Sequence, residues 1–340
     1  ARQQMERGSE MEKELVGYED REAKSPRFVY GQTIRKDATL AEGLKDAGMT
    51  GWNVRTEPAY TADGLEIPGH QVVLGEVAGA TTPFAVMKSR YTPMDYGEAF
   101  GWGQTILDNS DLELDTIGYY RGGRRGFVSF RIPNSIKVAG ADEVRAYLNI
   151  ISSHDGTAPI FTQVSLERLM CSNQISGLLS DRSKARYSVR HIGVDPLGRQ
   201  SITAAREALG VAFGEIEGFQ QTVDQWANTE MTPAQVDRVF SEIFPVDLEK
   251  DSARVVSRMT NAREFAEDTY EHSDAQKGMT GNAWGLFSGI TEAFQWKETA
   301  KSDEAVAASV LDGGLDRQQR RVAGVIGTVA GIPKAAPVLV

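Results

Sequence analysis

Tyr119-Tyr120-Arg121-Gly122-Gly123-Arg124-Arg125 sets three guanidinium groups around two glycines, directly after two aromatic rings. Arginine forks pair with phosphate oxygens, and glycines let a backbone approach them closely. Interleaved aromatics can stack on unpaired bases, a contact worth about 1–3 kcal/mol per base. Together with Arg131, Lys137, Arg182, Lys184, Arg186, Tyr187 and Arg190, these are the ingredients of a groove for single-stranded nucleic acid. The same arginines would equally suit a solvated hairpin tip that pairs with carboxylates.

Other groups point to different chemistry. Ser153-His154-Asp155-Gly156 offers a His-Asp pair for acid–base or metal work, although Asp-Gly is also ordinary turn chemistry. Asp111, Glu113 and Asp115 alternate along an expected strand. Sharing one face, they could hold a divalent cation through oxygen ligands or simply form a solvated surface. Cys171, the single cysteine, excludes an internal disulfide and reads as a small core residue beside Leu169 and Met170. The chain has no GxxxxGK[ST], HExxH or GxSxG, and its four histidines lack ligand spacing. No cofactor is expected.

The elements that must position these residues follow from pattern. Gly122-Gly123 between Leu112–Tyr120 and Phe127–Ile132 is a hairpin signal, with Val128, Phe130 and Ile132 on one face and Ser129 and Arg131 on the other. Further strands are expected at Trp52–Tyr60, Gln71–Val77, Phe84–Tyr91, Tyr147–Ile151, Ile160–Leu166 and Tyr187–Ile192. Thr39 caps a short helix from Leu40, and another is expected over Tyr96–Leu107 and a third over Gln174–Leu179. After Gly198 the period becomes helical, over Ile202–Trp226, Val236–Phe244, Ala253–Tyr270 and Trp284–Phe294. The fold class is α+β: an antiparallel sheet with β-hairpins and packed helices, followed by a mainly helical C-terminal region. The expected division is a polar arm over 1–29, an α+β domain over 30–195 and a helical domain over 196–340.

Composition sharpens the choice of partner. The 340 residues are 41% hydrophobic and 25% charged, which fits a globular protein rather than a disordered chain or fibre. A net charge of -10 argues at first against nucleic acid. The charge is uneven, however: residues 121–190 hold eleven Lys/Arg against five Asp/Glu, a balance of +6, whereas residues 1–120 sum to -8 and 211–310 to -10. No apolar run approaches the roughly 20 residues needed to cross a bilayer, and Ala1–Glu10 lacks the apolar core of a secretory signal. A cytoplasmic protein without a membrane partner is expected.

The stretch from Trp102 through GGRR to Pro133, then YLNIISSHDG (147–156), RLMCSN (168–173) and SVRH (188–191), resembles the phage/plasmid-like lateral gene transfer family, a domain of unknown function. The resemblance covers about residues 35–215; Gln174-Ile175 departs from the Thr-Leu of the family, and residues after 230 fall outside it. It implies mobile-element biology in a bacterial host and a distant kinship with phage single-strand annealing recombinases. Those proteins bind single-stranded DNA along a basic groove and assemble as rings or filaments.

The function expected is therefore a phage or prophage single-stranded DNA-binding protein that promotes strand annealing in homologous recombination. It would be a non-hydrolytic homo-oligomer, with a phage exonuclease or single-strand-binding protein as a further partner. Arg121, Arg124, Arg125, Arg182, Lys184, Arg186 and Arg190 would neutralise phosphates, while Tyr119, Tyr120 and Tyr187 would stack on or support bases. The alternatives are a metal-assisted nucleic-acid or nucleotide-processing enzyme centred on His154 and Asp155, or a phage structural or host-interaction protein.

Overall fold

The computed structural model describes residues 29–133, 136–138, 142–169, 173–174, 188–189, 200–297, 302–311 and 313–332. The architecture is α+β, with antiparallel sheets and a helical C-terminal region.

Helix α1 (Leu40–Asp46) begins where Thr39 and Glu42 satisfy each other's backbone N–H groups, and it buries Leu40 and Leu44. A separate meander follows, made of β2 (Arg55–Tyr60), β3 (Glu66–Val77) and β4 (Ala80–Lys88). The helix expected over Tyr96–Leu107 is two helices, α2 (Tyr96–Phe100) and α3 (Gly103–Asp108). The break has a local cause. The buried Trp102 indole donates to the Ala99 carbonyl at 3.1 Å, and Gly103 lies where a Cβ would come within 2.9 Å of the Phe130 ring.

The main sheet runs in the order β1 (Gly31–Thr33), β5 (Glu113–Tyr120), β6 (Arg125–Arg131), β8 (Asp142–Ser153), β9 (Ile160–Arg168) and β10 (Asn173–Gln174). The short β7 (Ile136–Val138) pairs with β8, and β11 (Ser188–Val189) pairs with β9. Val128, Phe130, Leu148, Ile150, Val164 and Leu166 lie on one face and are buried, because alternate residues of each strand point the same way. The opposite face is polar at its middle, with Asn149 opposite both Ser129 and Gln163, and carries a small apolar cluster of Tyr120, Phe127, Ile151 and Phe161 at one end. Gln174 pairs in β10, so the helix expected from that residue does not begin there, and residues 175–179 lie outside the described ones.

The C-terminal half contains α4 (Gln200–Ala227), α5 (Pro233–Ile243), α6 (Ala253–His272), α7 (Ala283–Trp296), α8 (Asp303–Leu311) and α9 (Gly314–Ala330). Ala205, Ala208, Ala212, Phe219, Val223 and Trp226 form the buried stripe of α4 at three- and four-residue spacing. Helix α7 is buried almost all round and packs against α4, α6 and α9. The expected boundary at 195/196 lies outside the described residues, and the helices beyond it share one hydrophobic core with the sheet. No helix among the described residues is long and apolar enough to cross a membrane.

The most deeply buried polar contact between the halves centres on an ion pair. Arg168, at the end of β9, donates through Nε to Asp142 Oδ2 at 2.7 Å and through Nη2 to the Ala275 carbonyl at 3.0 Å. The Trp284 indole donates to the same Asp142 oxygen at 3.1 Å. Both charged side chains are buried, at 0% and 1% exposure. Asp142→Ala should cost about 3–5 kcal/mol in urea unfolding, since it strands a buried guanidinium. Trp284→Phe should cost about 2–3 kcal/mol, since it removes a hydrogen bond to a buried carboxylate and leaves space where the fully buried indole was.

Candidate functional site

The arginine hairpin forms as the pattern predicts. Tyr120 pairs with Arg125, leaving residues 121–124 as the tip. Arg121, Gly122 and Gly123 take φ of 55°, 63° and 83°, a left-handed run that two glycines make accessible. Arg121 and Arg124 are exposed, and the Arg124 side chain has no hydrogen bond or ion pair among the described residues. Arg125 is braced: its Nε and Nη2 donate to Thr157 Oγ1 at 3.2 and 3.0 Å, and its Nη1 donates to the Tyr120 hydroxyl at 3.4 Å.

Beneath the tip lies a buried aromatic cluster. The His154 ring is fully buried, stacked on Tyr96 at 4.0 Å and 4.9 Å from Phe84. Trp52 meets Tyr96 and Tyr119 edge-on at 5.3 and 5.0 Å. The Gly123 carbonyl accepts from the Tyr96 hydroxyl at 3.0 Å and lies 3.2 Å from His154 Nδ1. Asp155 turns away and accepts from the Thr157 amide at 3.0 Å and from its hydroxyl at 2.5 Å. The expected His154–Asp155 pair therefore divides between core and surface loop, and a reaction at His154 would first need its aromatic cover to open.

Of the stacking tyrosines, Tyr119 is half-buried against Trp52. Tyr120 is 2% exposed among Phe127, Ile151 and Phe161 on the other face. Its ring can support the tip but is not open to a base. Arg131 lies about 20 Å along β6 from Arg125, where it pairs with Glu113. Lys137 sits 3.9 Å from Glu143 in the β7–β8 region. Neither joins the tip. Arg182, Lys184, Arg186, Tyr187 and Arg190 lie outside the described residues. Between the last two, Ser188–Val189 pairs with Ile160–Phe161, directly after the loop that carries Thr157. That register puts Ser188–Val189 at the tip end of the sheet.

The carboxylates do not share a face as expected. A register shift between Leu114 and Thr116 takes Asp115 out of the alternation, because a bulge adds one unpaired residue. Asp115 is buried and accepts from Thr116 Oγ1 at 2.7 Å. Glu113 is held below the usual carboxylate range, chiefly by its hydrogen bond from Arg131, with Lys36 3.7 Å away. Asp111 is exposed ahead of the strand. No cluster of three or more metal-ligating His, Cys, Asp or Glu residues occurs among the described residues.

Sequence reasoning missed Trp52, Phe84, Tyr96 and Thr157. The first three lie 25 or more residues from the hairpin tip, and nothing local announces their meeting. Thr157 had a signal, since Asp155-Gly156 marks a turn in which an aspartate captures the amide two residues on.

Tyr91 also abuts this loop, with its hydroxyl 3.4 Å from the Ser153 and His154 carbonyls. Burial first, and then the charge of Asp155, pushes its phenol up to about 12. A raised phenol contributes stability that is complete below the unfolded value near 10 and is lost as pH rises through the folded value. Alkaline titration at 295 nm should therefore reveal, as the difference between wild type and Tyr91→Phe, one phenolate with a midpoint near 12 or coincident with unfolding.

Residues 83–312 match a family model described as a domain of unknown function, DUF932. The match starts later than the resemblance noted from the motifs and continues through the helical half. No curated protein and no solved structure matches the chain.

Proposed function

The chain belongs to the DUF932 family, and from its arginine tip we propose that it is a single-stranded DNA-binding protein that promotes strand annealing in recombination of phage or prophage type. The carrying observation is the tip itself: exposed Arg121 and Arg124 beside the braced Arg125. A left-handed backbone costs a non-glycine residue about 1 kcal/mol or more. Arginine at position 121, with φ of 55°, is thus a locally unfavourable choice that makes sense if the guanidinium is needed there.

Two further observations support the reading. The register of Ser188–Val189 on β9 puts that pair at the tip end of the sheet, and in the sequence it lies among the second set of cations, Arg182, Lys184, Arg186 and Arg190. In the helical half, by contrast, Arg238, Lys250, Arg263 and Lys277 all pair with neighbouring carboxylates, so the acidic surplus there repels a polyanion. Phosphates would then run along one basic end, with Arg121, Arg124 and Arg125 as their partners. A ring or filament of subunits would align the bases for pairing. The relation to phage annealing recombinases and to lateral gene transfer belongs to this proposal. The enzyme reading centred on His154 gains no observation from a ring that is fully buried.

Affinity for a single-stranded oligonucleotide should fall with salt at a log–log slope of about -0.7 per phosphate neutralised. Arg121→Gly combined with Arg124→Ala should shallow that slope by about 1.4 while leaving the melting temperature within about 2 °C. An unchanged slope, or no binding by the wild type, would sink the proposal. Cleavage of the oligonucleotide with magnesium or manganese, lost in His154→Ala, would favour the enzyme instead.

A further inference from the structure

The tip is held at one atom from two distant parts of the chain. The Gly123 carbonyl lies 3.0 Å from the Tyr96 hydroxyl and 3.2 Å from His154 Nδ1. A carbonyl oxygen can only accept, so Nδ1 carries the proton. The backbone N–H of His154 also donates to the Arg124 carbonyl at 2.8 Å. The two peptide planes that flank the Arg124 Cα are therefore both fixed, one through the Gly123 oxygen and the other through its own. Gly123 has no room to shift, since a Cβ there would lie 2.9 Å from the Trp52 ring.

We propose that Tyr96 and His154 are positioning residues of the phosphate-binding tip, which they set by gripping the Gly123 carbonyl so that Arg124 leaves the sheet from a fixed point. The inference rests on the phosphate-binding reading above and assigns a role to the histidine of the SHDG loop that needs no proton transfer. A cation launched from an ordered backbone loses less entropy on meeting a phosphate, so order at the tip becomes affinity. Both donors are buried, and a buried carbonyl that loses its donors finds no water to replace them. Loss of either grip therefore loosens the tip while the aromatic rings still pack.

The test separates tip order from DNA binding. Tyr96→Phe and His154→Leu each remove one donor, while His154→Asn restores an N–H near the position of Nδ1. Under native conditions, trypsin should cut after Arg121 and Arg124 about tenfold faster in Tyr96→Phe and His154→Leu than in wild type, the factor expected for one buried hydrogen bond. Cutting after the exposed Arg258 of α6 should stay unchanged, and His154→Asn should return tip cutting to within about threefold of wild type. Nitrogen-15 spectra of the wild type should show the proton of His154 on Nδ1. Affinity for single-stranded DNA at fixed salt should fall by up to about tenfold in the two loosened variants and recover in His154→Asn, with the salt slope kept because the same arginines remain. Unchanged tip cutting, cutting that rises equally at Arg258, or a loosened tip with unchanged affinity for single-stranded DNA overturns the assignment. A wild type that does not bind DNA overturns the phosphate-binding reading, while the cutting ratios still decide whether these two side chains order the tip.

Discussion

The Asp142–Arg168 pair, sealed under Trp284, is the constraint on which the arrangement of the two halves depends. A guanidinium taken out of water is tolerated only with its charge compensated and its N–H groups engaged. Asp142 supplies the compensation from the start of β8, while the Ala275 carbonyl supplies an acceptor from the turn before α7. Arg168 can reach both only if this end of the sheet and the turn before α7 come together. The apolar surfaces of α4 and α7 would pack against many partners, since hydrophobic contact is not directional. The ion pair selects one partner and one register. A family match that runs across both halves agrees with a unit joined in this way.

Strand β8 links this anchor to the candidate site. It begins at Asp142 and ends at Ser153, one residue before His154. Through its pairing with β6 and β9 it fixes where the hairpin tip and the Thr157 loop lie. Polar groups are thus gripped at both ends of one strand, with buried apolar residues between them. At the first end the grip fastens helices, and at the second it fastens a turn that carries cations. Rigidity at the tip is inherited from the sheet, as expected where function is carried by a short loop on a stable scaffold.

Much of this was legible from local pattern. The glycine pair gave the hairpin, and alternation correctly assigned Val128, Phe130 and Ile132 to the buried face. The helix expected over Val236–Phe244 is α5, which begins at Pro233 because Thr232 and Gln235 form a capping box. What failed depended on single residues acting at a distance. Trp102 splits a helix by capturing a carbonyl, and a bulge at Asp115 defeats a count of alternate carboxylates. Helix α9 was not among the expected elements; it runs through Gly324 and Gly327 and buries Val322 and Ile326 on its inner face. The aromatic cluster under the tip was the largest omission. Trp52, Phe84, Tyr96 and His154 each had a sound local reading, but their meeting is a property of the folded chain alone.

The uneven charge gains physical sense from this geometry. A chain of net charge -10 would repel a polyanion at long range if its charges were spread evenly. They are not, and in the helical half Arg238, Lys250, Arg263 and Lys277 are further spent on neighbouring carboxylates, Arg263 meeting both Asp237 and Glu267. The pairing leaves an acidic surplus on that half and an unpaired Arg124 side chain at the hairpin. Over one Debye length, about 8 Å in physiological salt, a phosphate near the tip is governed by the tip and not by the net charge. The acidic half then acts only on a strand that strays from the basic end. Asymmetric charge of this kind restricts where a polyanion can lie, while adding little to how tightly it is held.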